Sequence, residues 1–156
     1  MRFFHFTHSR MTIHIATLDD LDEWLKLTLA LWPDSDSNEL REILINIHQS
    51  AKEDGFIVRN DQGVAIGFMN LSLRTDYVPG ATKFPVAFLE GIYVQPAYQQ
   101  RGIGQMLVQR AEQWARDKGC LELASDVELS NSTGKAFHKK AGFEEVERVI
   151  QFIKIL

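Results

Sequence analysis

Apolar and polar positions alternate along Thr12-Ile13-His14-Ile15-Ala16 with the period of a strand. The spacing then becomes helical. Thr17-Leu18-Asp19-Asp20 offers an N-cap, and Leu21, Trp24, Leu25, Leu27 and Thr28 recur on one face. Pro33 ends this helix after Trp32, because proline lacks the amide that a helix interior needs. Asp34-Ser35-Asp36-Ser37 forms a polar loop and caps a second helix with the apolar face Leu40, Ile43, Leu44 and Ile47. Gly55 to Arg59 and Val64 to Leu73 read as a hairpin turned by Asn60-Asp61-Gln62-Gly63. Thr75 to Pro85 is a loop. Val86 to Val94 is almost continuously apolar, the pattern of a strand covered on both faces.

A helix from Ile103 to Lys118 turns Ile103, Met106, Leu107, Ala111 and Trp114 toward the sheet. Leu121 to Ser125 predicts a strand parallel to Val86–Val94, reached by a right-handed crossover. A fourth helix covers Ser130 to Ala141, and Arg148 to Ile155 alternates as a last strand. The predicted order is β-α-α-β-β-β-α-β-α-β. It describes a mixed α/β fold with one domain over residues 11–156.

Composition limits the function. The 156 residues suit one core, and 45% apolar with 24% charged residues is ordinary for a globular chain. No apolar run reaches the ~18 residues of a membrane span. Residues 1–10 lack a signal-peptide core and read as a disordered extension ahead of a second methionine, Met11. Cys120 is the only cysteine, so no intrachain disulfide forms and a reducing cytoplasm is expected. Its apolar neighbours predict a buried, inert thiol. The net charge of −4 argues against nucleic acid as a partner and suits a cationic substrate. His5, His8, His14, His48 and His138 make no ligand pair with a carboxylate at helical spacing, so no metal is expected.

The chemistry concentrates in Val94-Gln95-Pro96-Ala97-Tyr98-Gln99-Gln100-Arg101-Gly102-Ile103-Gly104. It reads as a strand end, a turn and a glycine-rich helix start. Unpaired amides and the helix dipole at such a start favour an anion. A Walker loop would need Gly-Lys-Ser/Thr, but Gln105-Met106 follows Gly104; a dinucleotide fingerprint would need a third glycine where Leu107 stands.

Gln99-x-x-Gly102-x-Gly104 resembles the pyrophosphate loop of the GCN5-related N-acetyltransferases (GNAT). Leu89-Glu90-Gly91-Ile92-Tyr93-Val94 resembles that family's central strand, and Asn131 through Ala141-Gly142-Phe143 its later helix. The resemblance implies the GNAT fold, a mixed central sheet with splayed parallel strands and about four helices. It implies acetyl-CoA as co-substrate. The residues to hold it would be Ile92, Tyr93, Val94, Gln99, Gln100, Arg101, Gly102, Ile103, Gly104, Gln105 and Asn131, although Asn131 equally suits a helix cap.

Acyl transfer to an amine needs a proton acceptor for the ammonium, a donor for the developing oxyanion and a proton for the leaving thiolate. Glu90 lies on the central strand just before a bulge expected near Gly91-Ile92. Asp126 lies at the carboxyl end of the next strand, where open α/β sheets place ligands. The plainer alternatives are an Arg or Lys partner for Glu90 and a helix cap for Asp126.

Leu73-Arg74-Thr75-Asp76-Tyr77-Val78-Pro79-Gly80, Phe88-Leu89-Glu90-Gly91-Ile92-Tyr93-Val94, Ala124-Ser125-Asp126 and Gly142-Phe143-Glu144-Glu145-Val146-Glu147-Arg148-Val149 resemble the chromosomal branch of the aminoglycoside 6′-N-acetyltransferases, as does Leu31-Trp32-Pro33. That resemblance implies acetyl transfer to a 6′-amine by direct attack in a ternary complex. Asp126 and Glu90 would bind and deprotonate the amine, and Trp32, Tyr77 and Asp36 would line the sugar pocket. Each of these three also has a structural reading: core closure, exposed loop and helix cap. Many GNAT members carry a tyrosine on the fourth helix as general acid; His138 occupies the slot here. Histidine titrates near neutrality and can donate a proton, or it is a solvated surface residue. Other amines (a polyamine, an amino-sugar metabolite or a protein N-terminus) remain alternatives, as does a non-catalytic acyl-CoA-binding module. The apolar final strand and the branch's habit point to a homodimer.

Overall fold

Residues 10–156 are described by a computed structural model. Five strands form one sheet in the order β1-β2-β3-β4-β5: Thr12–Ile15, Glu53–Arg59, Ala65–Arg74, Val86–Val94 and Leu123–Ser125. The first four run antiparallel, and β5 joins β4 in parallel. Helices α1 (Leu21–Leu31), α2 (Ser37–Gln49), α3 (Ile103–Asp117) and α4 (Ser132–Lys140) complete the chain.

Strand alternation sorts the core into two layers. Phe56, Val58, Ile66, Met69, Leu71 and Leu89 face α3, whose Leu107, Ala111 and Trp114 cover them. Ile57 and Phe68 face the other way, against Trp24, Leu25, Leu44 and Ile47 of α1 and α2. Each fully buried large side chain contributes about 1.5–3 kcal/mol. Trp24 is wholly buried and donates to Asn70 Oδ1 at 3.1 Å. Gly55, beside it on β2, has to lack a side chain, because a Cβ there would lie 2.1 Å from the indole.

Local signals placed the helix starts well. Thr17 Oγ1 accepts from the Asp19 amide, and Asp20 returns the favour by accepting from the Thr17 amide at 2.9 Å. The motif caps a short 3₁₀ turn, Leu18–Asp20, that leads directly into α1. Asp36 Oδ1 accepts from the Asn38 and Glu39 amides and starts α2. Cys120 is buried, which pushes its thiol pKa up.

Two expectations need correction. Ile43 and Met106 are exposed rather than core-facing; the α3 face is completed by Val108 and Ala115. The last strand, expected over Arg148–Ile155, does not form in this chain. Alternation alone does not make a strand, which needs a neighbour to bond and a face to bury. Here both faces of the segment lie open, with Phe152 and Ile153 91% and 95% exposed. The expectation for residues 1–10 lies, apart from Arg10, outside the described residues, as do His5 and His8. No helix among the described residues is long and apolar enough to cross a membrane.

Candidate active site

The loop after β4 is built to present amides. A 3₁₀ turn, Pro96–Tyr98, follows Val94, and the Gln99 side chain donates back to Val94 O at 2.9 Å. Gln100 (φ 59°) and Gly102 (φ 79°) both take left-handed conformations. Such residues curve successive N–H groups around an anion-binding concavity. The Met106 amide bonds back to Gly102 O at 3.0 Å, so the N–H groups of the first turn before it have no helical acceptor. A Cβ on Gly102 would touch nothing within 4 Å, so the loop opens to solvent there. Gly104 has a different reason. A Cβ there would lie 2.7 Å from Cε2 of Phe137, so this glycine lets α4 press against α3. Only the first of the two glycines faces open space.

The two parallel strands separate beside this loop. Their ladder pairs Ala87 with Leu123, Phe88 with Ala124 and Leu89 with Ser125, then stops. On the other side of β4 the register slips: Leu71 faces Leu89, and Asn70 faces Gly91. Glu90 is the residue left over. The bulge falls on Glu90 itself, one residue earlier than the sequence placed it, and a bulge bends and twists its strand. The next residues beyond the last rung are Glu90 on one strand and Asp126 on the other.

Glu90 is firmly held. Its Oε1 accepts from Ser72 Oγ at 2.6 Å and Arg74 Nε at 2.9 Å, and its Oε2 accepts from Arg74 Nη2 at 2.8 Å. The Arg74 guanidinium lies 3.5 Å from the Phe88 ring centroid. A carboxylate with three donors is a fixed negative charge more than a free base. Asp126 by contrast is exposed. Trp32 covers the backbone next to Glu90: a Cβ on Gly91 would lie 2.6 Å from the Trp32 ring.

His138 on α4 reaches the same region. Its Nδ1 lies 2.7 Å from Gly134 O and its Nε2 2.8 Å from Ser125 Oγ. The loop before β4, residues 75–85, is pinned by Val78, which is buried with Val86 and Phe88, and by Glu122. Glu122 accepts from the Thr82 amide at 2.7 Å and the Lys83 amide at 2.6 Å, and these bonds hold its carboxyl below the usual range.

The chain matches the family model described as "Acetyltransferase (GNAT) family" over residues 18–143. It is 42% identical over 144 residues to an aminoglycoside N(6′)-acetyltransferase type 1 of Stenotrophomonas maltophilia, with 92% of this chain and 93% of the relative covered. The namesake in Salmonella typhimurium is 43% identical over 148 residues, covering 92% and 99%. The solved structure of AAC(6′)-Iy in complex with the bisubstrate analogue CoA-S-monomethyl-acetylneamine superposes with a TM-score of 0.89. Identity there is 39%, over 95% of this chain and 100% of that one. The chain belongs to the acetyltransferase (GNAT) family.

In this GNAT domain the expected site residues divide into two groups. The structure gathers Trp32, Glu90, Asp126 and His138 around the opening between β4 and β5, with Ile92, Tyr93 and Val94 along the far end of β4 and Gln99 to Gln105 in the amide loop. Other expected residues already have structural work. Asp36 caps α2 through Oδ1, and Asn131 caps α4 by accepting from the Gly134 amide at 2.8 Å. Tyr77 is 79% exposed on its loop. Ser72, Arg74 and Ser125 were not singled out from the sequence. Ser72 and Arg74 had a readable signal: with Asn70 they make three polar residues, spaced two apart, on one face at the end of an otherwise apolar strand. Ser125 had none, because its importance depends on the α4 residue that meets it.

Proposed function

We propose that this GNAT domain transfers acetyl from acetyl-CoA to the 6′-amine of an aminoglycoside, by direct attack within a ternary complex. The observation that carries this reading is its end-to-end likeness, at about 40% identity, to relatives bearing that activity in their names. The acting unit is the domain over residues 11–156, and the reducing cytoplasm suits its one buried cysteine.

The residues fit the task. The amides of Gln100 to Gln105 receive the diphosphate of the co-substrate, where the α3 dipole also favours negative charge. Ile92, Tyr93, Val94 and Asn131 flank its pantetheine arm. The acetyl group then lies where β4 and β5 part. An ammonium must lose a proton before it attacks, and Asp126 is the acceptor: exposed, without a hydrogen-bond partner among the described residues, and one residue past the last rung. Glu90 keeps one lone pair of Oε2 for a substrate ammonium and acts as a fixed anchor, since charge-assisted bonds are the strong ones. Trp32 and Tyr77 supply apolar faces for the sugar rings, and Asp36 adds negative charge at the rim.

A homodimer is part of the reading. The tail from Val149 to Leu156 exposes Ile150, Phe152, Ile153 and Ile155, and an alternating apolar segment of this kind is a pairing strand without a neighbour. Light scattering on the full chain and on a chain ending at residue 147 would compare the two masses. A dimer that becomes monomeric on truncation supports the assignment; a full-length monomer contradicts it.

A steady-state screen of kanamycin, tobramycin, spermidine and short peptides with acetyl-CoA tests the substrate class. Turnover is expected for the first two. Failure to acetylate any aminoglycoside would remove this reading.

A further inference from the structure

His138 has no nitrogen free to meet a leaving group. Gly134 O can only accept, so Nδ1 at 2.7 Å carries a proton in either charge state. Nε2 is engaged by Ser125 Oγ at 2.8 Å. The ring is held from two sides, edge-on by Phe137 with centroids 5.7 Å apart and by Phe143 at 5.2 Å. Turning the imidazole to expose Nε2 would break both bonds and this packing. Ser125 stands elsewhere: its Oγ lies 3.2 Å from Leu89 O, across the last rung of the parallel pair and at the head of the opening.

We infer that Ser125, not His138, is the immediate proton donor to the departing thiolate, with His138 as the reservoir behind it. The inference rests on the acetyl transfer proposed above.

The two acceptors around the hydroxyl, His138 Nε2 and Leu89 O, give the pair two complete hydrogen-bond arrangements. With a neutral ring, Ser125 donates to Nε2. With a charged ring, Nε2–H donates to Oγ and the hydroxyl proton turns to Leu89 O, so every donor is satisfied. As the thioester C–S bond breaks, its electron pair stays on sulfur. The thiolate takes the hydroxyl proton; the serine O–H breaks and S–H forms. Simultaneously the Nε2 proton passes to Oγ. The ring ends neutral, with Nδ1 still protonated and Nε2 again accepting from the hydroxyl. One proton has moved from imidazolium to thiol, and solvent restores it.

Two residues that act as one unit show non-additive losses. The experiment is a double-mutant cycle on the full chain with S125A, H138A and the pair, reading kcat and both KM values with kanamycin. General acid catalysis is worth roughly 10²–10⁴-fold, so S125A should lower kcat by about 100-fold. Its KM for acetyl-CoA should stay near that of the parent. S125A/H138A should be no slower than H138A alone, and S125T, which keeps the hydroxyl, should recover most of the rate and control for packing. S125A at the parental kcat, or single losses that multiply in the double variant, would overturn the relay. A parent chain that acetylates nothing refutes the proposed function instead, so the two failures are distinguishable.

Discussion

Arg74 grips Glu90 with both arms of its guanidinium, Nε to Oε1 at 2.9 Å and Nη2 to Oε2 at 2.8 Å, while its plane rests on Phe88. The fork and the stacked ring together fix where the carboxylate sits. Glu90 is therefore an anchor of defined position. E90Q should raise the aminoglycoside KM about 10-fold or more, the loss of one hydrogen bond to a charged group, and change kcat only slightly. R74K should do likewise, since an ammonium cannot hold both oxygens in that geometry. Initial-rate kinetics decide it: a collapse of kcat in E90Q at constant KM would make Glu90 the proton acceptor.

Asp126 carries the opposite expectation. D126N keeps the shape and removes the basicity, so kcat should fall by roughly 10²-fold or more. Acetyl-CoA affinity, read by calorimetry, should be unchanged, because the amide loop lies on the other side of the opening. An unchanged kcat would end its assigned role.

The two loop glycines should respond differently to alanine. G102A meets no neighbour but forces a left-handed residue with a side chain, which costs about 1–2 kcal/mol. G104A instead pushes on Phe137, an overpacking worth about 1–3 kcal/mol. F137L should therefore restore much of the stability of G104A and none of that of G102A. Thermal melts of the four variants check this, and equal rescue of both glycine variants would contradict the assignment.

These residues also show how far the sequence carries the argument. The amide loop, the five paired strands, both helix caps and the position of Asp126 follow from spacing and turn chemistry, which are local. What Gly104 is for was not legible, because the reason lies 33 positions away on α4. The grip of Arg74 on Glu90 depends on a bulge that shifts one register, and alternation does not announce which residue a bulge will leave out. The final segment alternates as a strand should, yet within one chain it has no edge to bond. Pattern reports the capacity to pair and says nothing of where the partner is.

A polar cluster away from the site should govern acid stability. Arg59 bonds Asp20 at 2.7 Å and Glu23 at 2.8 Å. Burial alone would raise the Asp20 pKa, but the Thr17 amide, Arg59 and His14 together bring it below its usual value. Glu23 is lowered chiefly by its bond to Arg59. A carboxylate depressed in the folded state contributes stability that is complete above its unfolded pKa, about 4. That stability is lost as pH falls through the folded value. Urea midpoints should hald steady above about pH 5 and decline below about pH 4. R59M should flatten the decline. An identical acid slope in R59M would contradict this account.

The central claim is that one particular amine receives the acetyl group. The most direct measurement is nuclear magnetic resonance of the product formed from kanamycin and acetyl-CoA, beside an analogue with a hydroxyl in place of the 6′-amine. The account predicts a single acetyl group on the 6′-nitrogen and no N-acetylation of the hydroxyl analogue. Acetyl on a different nitrogen, or equal N-acetylation of the analogue, would contradict it.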